Sequence, residues 1–102
     1  MSALVSEFKV NVHADPIDGY SMKDYDFECH FHVYSNRVVV IKKNDMRMVD
    51  KDNYIAILDT EKVKTLGRGA VTMTFVGYVP DADFPDGYRT EVAEVCDKIT
   101  VI

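Results

Sequence analysis

Polar and apolar residues alternate with period two along much of this chain, the pattern of strands with one buried and one wet face. The cleanest run is Tyr25 to Tyr34. Tyr25, Phe27, Cys29, Phe31 and Val33 fall on one side of it; Asp26, Glu28, His30, His32 and Tyr34 fall on the other. Glu7 to His13 alternates in the same way. Val38-Val39-Val40-Ile41 is apolar without alternation, which predicts a strand covered on both faces. A brief strand at Met46–Val49 and a fuller one at Tyr54–Leu58 follow. The last third reads as a hairpin, with β-rich arms at Gly69–Val79 and Arg89–Val101 around the loop Pro80–Gly87. Val92 lies out of phase with Val95, Ile99 and Val101, so a β-bulge is expected near Ala93 or Glu94.

The punctuation between these runs has its own chemistry. Asp15-Pro16 and Asp18-Gly19 are turn signals, and Met22–Asp24 is an approach to the next strand. Ser35-Asn36-Arg37 is short enough to return the chain antiparallel; Asn44-Asp45 and Asp50–Asn53 turn it again. Asp59 or Thr60 can cap a helical turn near residues 60–66, with Gly67 suited to the position just past it. Six or seven short strands and one helical turn predict an all-β fold, an antiparallel β-sandwich forming a single domain over residues 1–102. A partly closed barrel has the same local signals.

Composition narrows the function. With 102 residues, 47% of them hydrophobic, the chain has material for one core. Twelve basic against 17 acidic residues leave a formal charge of -5, and the longest basic run is Lys42-Lys43. That excludes the basic footprint of nucleic-acid binding. No stretch approaches the roughly 20 apolar residues that cross a bilayer. Residues Met1 to Glu7 lack the features of a signal peptide, so the product is expected to stay in the compartment where it is made. Cys29 and Cys96 are expected as free thiols.

Candidate chemistry is sparse. Glu28, His30 and His32 share a wet strand face, and histidines at i and i+2 can be adapted to a shared metal; exposed strand histidines without ligands are the commoner case. Asp81, Asp83 and Asp86 resemble a calcium loop, yet Pro85 stands where a third ligand belongs and Gly87 comes one place late. The plainer reading is a stiff hairpin loop. In it Pro80 and Pro85 restrict the backbone, Phe84 packs back on the sheet, and Arg89 and Glu91 pair with the loop acids. No Gly–x–Ser–x–Gly elbow or cysteine nucleophile context occurs, and Gly67-Arg68-Gly69 precedes a strand, which no phosphate loop does. No enzyme activity and no cofactor are expected. Six tyrosines without tryptophan fit core edges better than a sugar platform.

The run Asp50–Thr60, the glycines at 67 and 69, Gly77-Tyr78-Val79-Pro80-Asp81 and above all Asp83–Val92 resemble small virion proteins of phages and prophages of gut bacteria. These are tail- or baseplate-associated proteins with an immunoglobulin-like sandwich. The resemblance covers residues 25–102, and its specific part is Pro80–Val92. It implies a structural module made in the bacterial cytoplasm and built into a virion through protein contacts, as a homo-oligomer or with other virion proteins. Asp81, Asp83, Phe84, Asp86 and Arg89 are the contact residues this reading selects. The alternative is a ligand-binding sandwich that takes calcium or a glycan at the loop 80–88.

Overall fold

The structure is a computed structural model that describes residues 7–33, 38–67 and 69–101, with the backbone alone described at 69–70 and 94–101. The expected end of the second strand at Tyr34, the connection Ser35–Arg37 and the Cys96 thiol therefore lie outside the described parts. Seven strands form: β1 (Phe8–His13), β2 (Asp26–His32), β3 (Val38–Lys42), β4 (Arg47–Asp50), β5 (Asn53–Leu58), β6 (Gly69–Pro80) and β7 (Tyr88–Val101). One helix, α1 (Thr60–Leu66), links β5 to β6. Two short 3-10 turns, Met22–Asp24 and Lys43–Asp45, precede β2 and β4. No helix among the described residues is long and apolar enough to cross a membrane.

The strands divide into an antiparallel three-stranded sheet, β1-β5-β4, and an antiparallel four-stranded sheet, β3-β2-β6-β7. The chain crosses between sheets after β1, β3 and β5. This is the strand order of an immunoglobulin-like sandwich, B-E-D against C′-C-F-G, with β1 in the place of B.

Alternation decides what enters the core. Phe27, Cys29 and Phe31 of β2 and Val71, Met73 and Phe75 of β6 face Val10 and Val12 of β1 and Tyr54, Ala56 and Leu58 of β5. Phe27 sits at the centre, with its ring 5.1 Å from Tyr54, 5.3 Å from Phe75 and 6.1 Å from Tyr25. Directly across from it is Gly77, where a Cβ would come within 3.1 Å of the Phe75 ring and 3.2 Å of the Tyr25 ring. A side chain there would have to displace two aromatic neighbours, so the glycine makes room for the cluster. Burial pushes the Cys29 thiol up to about 12, so it behaves as a small core residue and not as a nucleophile.

The ends of the sandwich are closed by local chemistry. Asp59 caps α1 by accepting from the Lys62 N–H at 3.1 Å, and Gly67, at φ +78°, ends it. Val63 and Leu66, three residues apart on one helical face, are both buried. Asp18 and Gly19 both adopt positive φ, as the two central positions of a type I′ turn require, and Ile17 and Tyr20 exchange backbone hydrogen bonds across them.

Two expectations are corrected. Val38 and Val40 are 48% and 44% exposed, because β3 is an edge strand whose outer face no described residue covers. The β6–β7 ladder runs unbroken from Pro80↔Tyr88 to Thr72↔Cys96 and shifts only beyond it, where Val71 faces residues 97–99. No bulge is needed at Ala93 or Glu94. Val92 belongs to the outer face, so it owes no phase to the core.

Candidate contact surface at the acidic loop

Residues 81–87 form a tightly bonded loop. The Asp81 N–H donates to the Gly87 carbonyl at 2.9 Å, Phe84 N–H to Asp81 at 3.2 Å, and Gly87 N–H to Phe84 at 2.9 Å. The left-handed conformation of Gly87, φ +83°, lets the chain re-enter β7. One carboxylate oxygen of Asp81 accepts from the Asp83 N–H at 3.0 Å, an Asx turn that fixes the first half of the loop.

Arg89 anchors the assembly from behind. Its Nη1 donates to Asp81 at 2.8 Å, its Nε to Glu91 at 2.6 Å, and its Nη2 to Asp18 of the turn between β1 and β2. The guanidinium holds the Asp81 carboxyl below the usual carboxylate range, helped by the Asp83 N–H. The three carboxylates in turn push the Arg89 pKa further up, Glu91 most of all.

The five residues selected by sequence thus have two different roles. Asp81 and Arg89 are engaged with each other and hold the loop. Asp83, Phe84 and Asp86 are exposed, and among the described residues no side-chain ion pair or hydrogen bond engages the carboxylate of either Asp83 or Asp86. Phe84 does not pack back on the sheet as expected; it is 47% exposed at the tip. The loop's own backbone bonds hold it there. Asp18, which sequence reasoning missed, joins Arg89 across 71 residues of chain, and no local pattern signals such a pair.

Beside the loop is an open cleft of about 380 Å³ lined by Asp24, Tyr25, Asp26, Tyr78, Pro80, Gly87 and Tyr88. The Tyr78 and Tyr88 rings meet edge to face at 5.8 Å. Tyr78 also belongs to a polar cluster on the outer face of the four-stranded sheet. Its hydroxyl donates to Glu28 at 2.7 Å, and the other Glu28 oxygen lies 2.7 Å from His30 Nε2. His32 lies 3.5 Å from the Thr74 hydroxyl. Among the described residues, no three of His, Cys, Asp and Glu converge as a metal site requires, either here or at Asp81, Asp83 and Asp86.

Glu28 gives the cluster a pH signature. The Tyr78 hydroxyl, and after it His30, lower the Glu28 pKa from its ordinary 4.5, while the carboxylate pushes Tyr78 up to about 12. A carboxylate lowered on folding adds stability above its unfolded pKa and loses it as pH falls through the folded value. Glu28→Gln is therefore expected to be less stable than the parent at neutral pH, with the difference closing as pH falls through the lowered folded value of Glu28. Urea titrations at neutral pH and across the acid range measure it, and a difference that stays constant into acid would refute the assignment.

No protein family, curated protein or solved structure matches the chain.

Proposed function

We propose that this chain is a non-enzymatic protein-contact module whose loop tip engages a partner through Phe84, flanked by Asp83 and Asp86. The observation that carries this reading is an aromatic side chain held exposed on a pre-ordered loop. Rigid exposed aromatics make efficient anchors, because little conformational entropy is lost when they are buried in a partner. The two unpaired carboxylates and the net charge of -5 favour a partner with a basic surface around an apolar pocket. The resemblance of Pro80–Val92 to phage tail and baseplate proteins supplies the setting: assembly into a virion or a prophage-derived particle.

A photoreactive phenylalanine analogue at position 84 would identify the partner by cross-linking and mass spectrometry. Phe84→Ala is then expected to weaken binding by about 2 kcal/mol or more, roughly thirtyfold, with little change in melting temperature. Equal affinity of variant and parent would sink the reading.

One observation favours a glycan as the alternative ligand. The cleft sets two tyrosine rings beside the carboxylates of Asp24 and Asp26, a mix of apolar face and hydrogen-bond acceptors that suits a sugar. Calcium gains no such support, since both oxygens of Asp81 are already engaged.

A further inference from the structure

Of the strands at sheet edges, β7 is the longest and the least protected. The other edges are short: β4 has four residues and an irregular register, β3 has five, and β1 has six with Lys9 and His13 on its outer side. From Tyr88 to Cys96, β7 pairs regularly with β6 on one side and with nothing described on the other. This stretch contains no proline, lysine or bulge, the usual devices that keep an edge from pairing. Arg89 does point inward, but its charge is engaged by Asp18, Asp81 and Glu91 behind the strand.

The hydrogen-bond parity of the hairpin shows which residues face the open side. Asp81 donates to Gly87, so 81 and 87 form a hydrogen-bonded pair. Such pairs alternate with non-bonded ones along an antiparallel ladder. Pro80 opposite Tyr88 is then a non-bonded pair, consistent with a residue that has no N–H to give. Arg89, Glu91 and Ala93 direct their backbone groups to β6; Tyr88, Thr90 and Val92 direct theirs to the free edge.

We propose that this edge pairs antiparallel with the same edge of a second copy, about a two-fold axis that sets Val92 opposite its counterpart. The register follows from charge and length. Centred on Val92, the pairing runs from Tyr88 to Cys96, with Glu91 opposite Ala93 and Thr90 opposite Glu94, so no like charges stand directly opposite one another. A shift to Glu91 opposes two glutamates, a shift to Thr90 shortens the ladder to residues 88–92, and a shift to Ala93 runs into the irregular stretch 97–99. Val92 is 62% exposed and sits beside Val76 on the outer face. The pairing aligns Val76 and Val92 of one copy with Val92 and Val76 of the other in one row across an eight-stranded sheet. Self-pairing buries the most exposed large apolar side chain described.

This inference rests on the assembly reading but uses a different surface from Phe84, so the two fail separately. Sedimentation of the full chain across a wide concentration range is expected to show the 11.6 kDa mass doubling, with loss of the doubling in Val92→Pro and Val92→Lys. Proline at 92 removes an N–H that points away from β6 and bonds none of the described residues of the monomer, as proline on an edge strand does without breaking the ladder. Amide exchange of the unaltered protein provides a readout without substitution. Thr90 and Val92 amides exchange fast in a monomer and slow as the dimer forms. A chain that stays monomeric at every concentration, or a dimer in which these amides still exchange fast, overturns the β7 pairing. Neither result touches the loop-tip contact, which is decided by Phe84→Ala.

Discussion

Phe27→Ala is expected to cost about 3–5 kcal/mol, the range for deleting a fully buried aromatic ring from a packed core. For a domain of this size that is about a fifth or more of the whole stability, typically about 5–15 kcal/mol. The size of the effect comes from position. Phe27 is 1% exposed and touches rings from both sheets, Tyr54 on β5 and Phe75 on β6, so its removal leaves a void at the sandwich centre. Relaxation into that void is limited, because the flanking strands are tied by ladders on both sides of β2. Denaturant titration measures the cost as a lowered midpoint with an unchanged slope. A loss below about 1.5 kcal/mol would show that the sheets close over the gap and that Phe27 is not the keystone described here.

Arg89→Met is expected to release the acidic loop. The substitution keeps a long apolar stem and removes the guanidinium whose three hydrogen bonds tie Asp18, Asp81 and Glu91 together. Three carboxylates then face one another without a cation, which favours opening of the loop and of the turn at Asp18-Gly19. Amide exchange at Asp81, Phe84 and Gly87, whose N–H groups close the loop, is expected to accelerate. The sign with pH is fixed by Asp81. Its lowered pKa means that the tie to Arg89 stabilises the fold above the ordinary Asp value of 3.8 and is lost as pH falls through the folded value. The difference between variant and parent is therefore full at neutral pH and shrinks in acid. Exchange rates in the loop that match the parent at neutral pH would show that the backbone bonds alone hold it.

The Arg89 network also marks the limit of what residues disclose in order along a chain. The strands, the cap at Asp59, the stop at Gly67 and the Asp18-Gly19 turn are all legible, because each is written in residues close together. Alternation from Tyr25 to Val33 names the inner face of β2 correctly. The antiparallel partners β2–β3 and β6–β7 follow from the connections between them, but the pairing of β2 with β6, of β1 with β5 and the division into two sheets depend on contacts between distant segments, for which the sequence assigns no partners. Val38 and Val40 mislead for a specific reason: β-branched residues favour extended backbone whether or not anything covers them. Phe84 misleads in another way, since an apolar residue in a loop has no periodicity to tell inward from outward. The cleft draws its walls from the approach to β2, from β6 and from the start of β7, so it is visible only once the sheet has assembled.

Lys43 has a consequence for which substitutions the sandwich tolerates. Lying in the 3-10 turn where the chain crosses from β3 to β4, its ammonium donates to the carbonyls of Lys23 and Tyr25 at 3.0 and 2.7 Å. It also lies 5.7 Å from the Phe27 ring centre and 5.9 Å from that of Tyr54. The acceptors are main-chain groups, which any residue at 23 or 25 would supply. Recognition in this clasp is therefore one-sided. Position 23 can drift freely without loosening it, whereas position 43 must keep a long cationic side chain, and no compensating change at its acceptors could replace one.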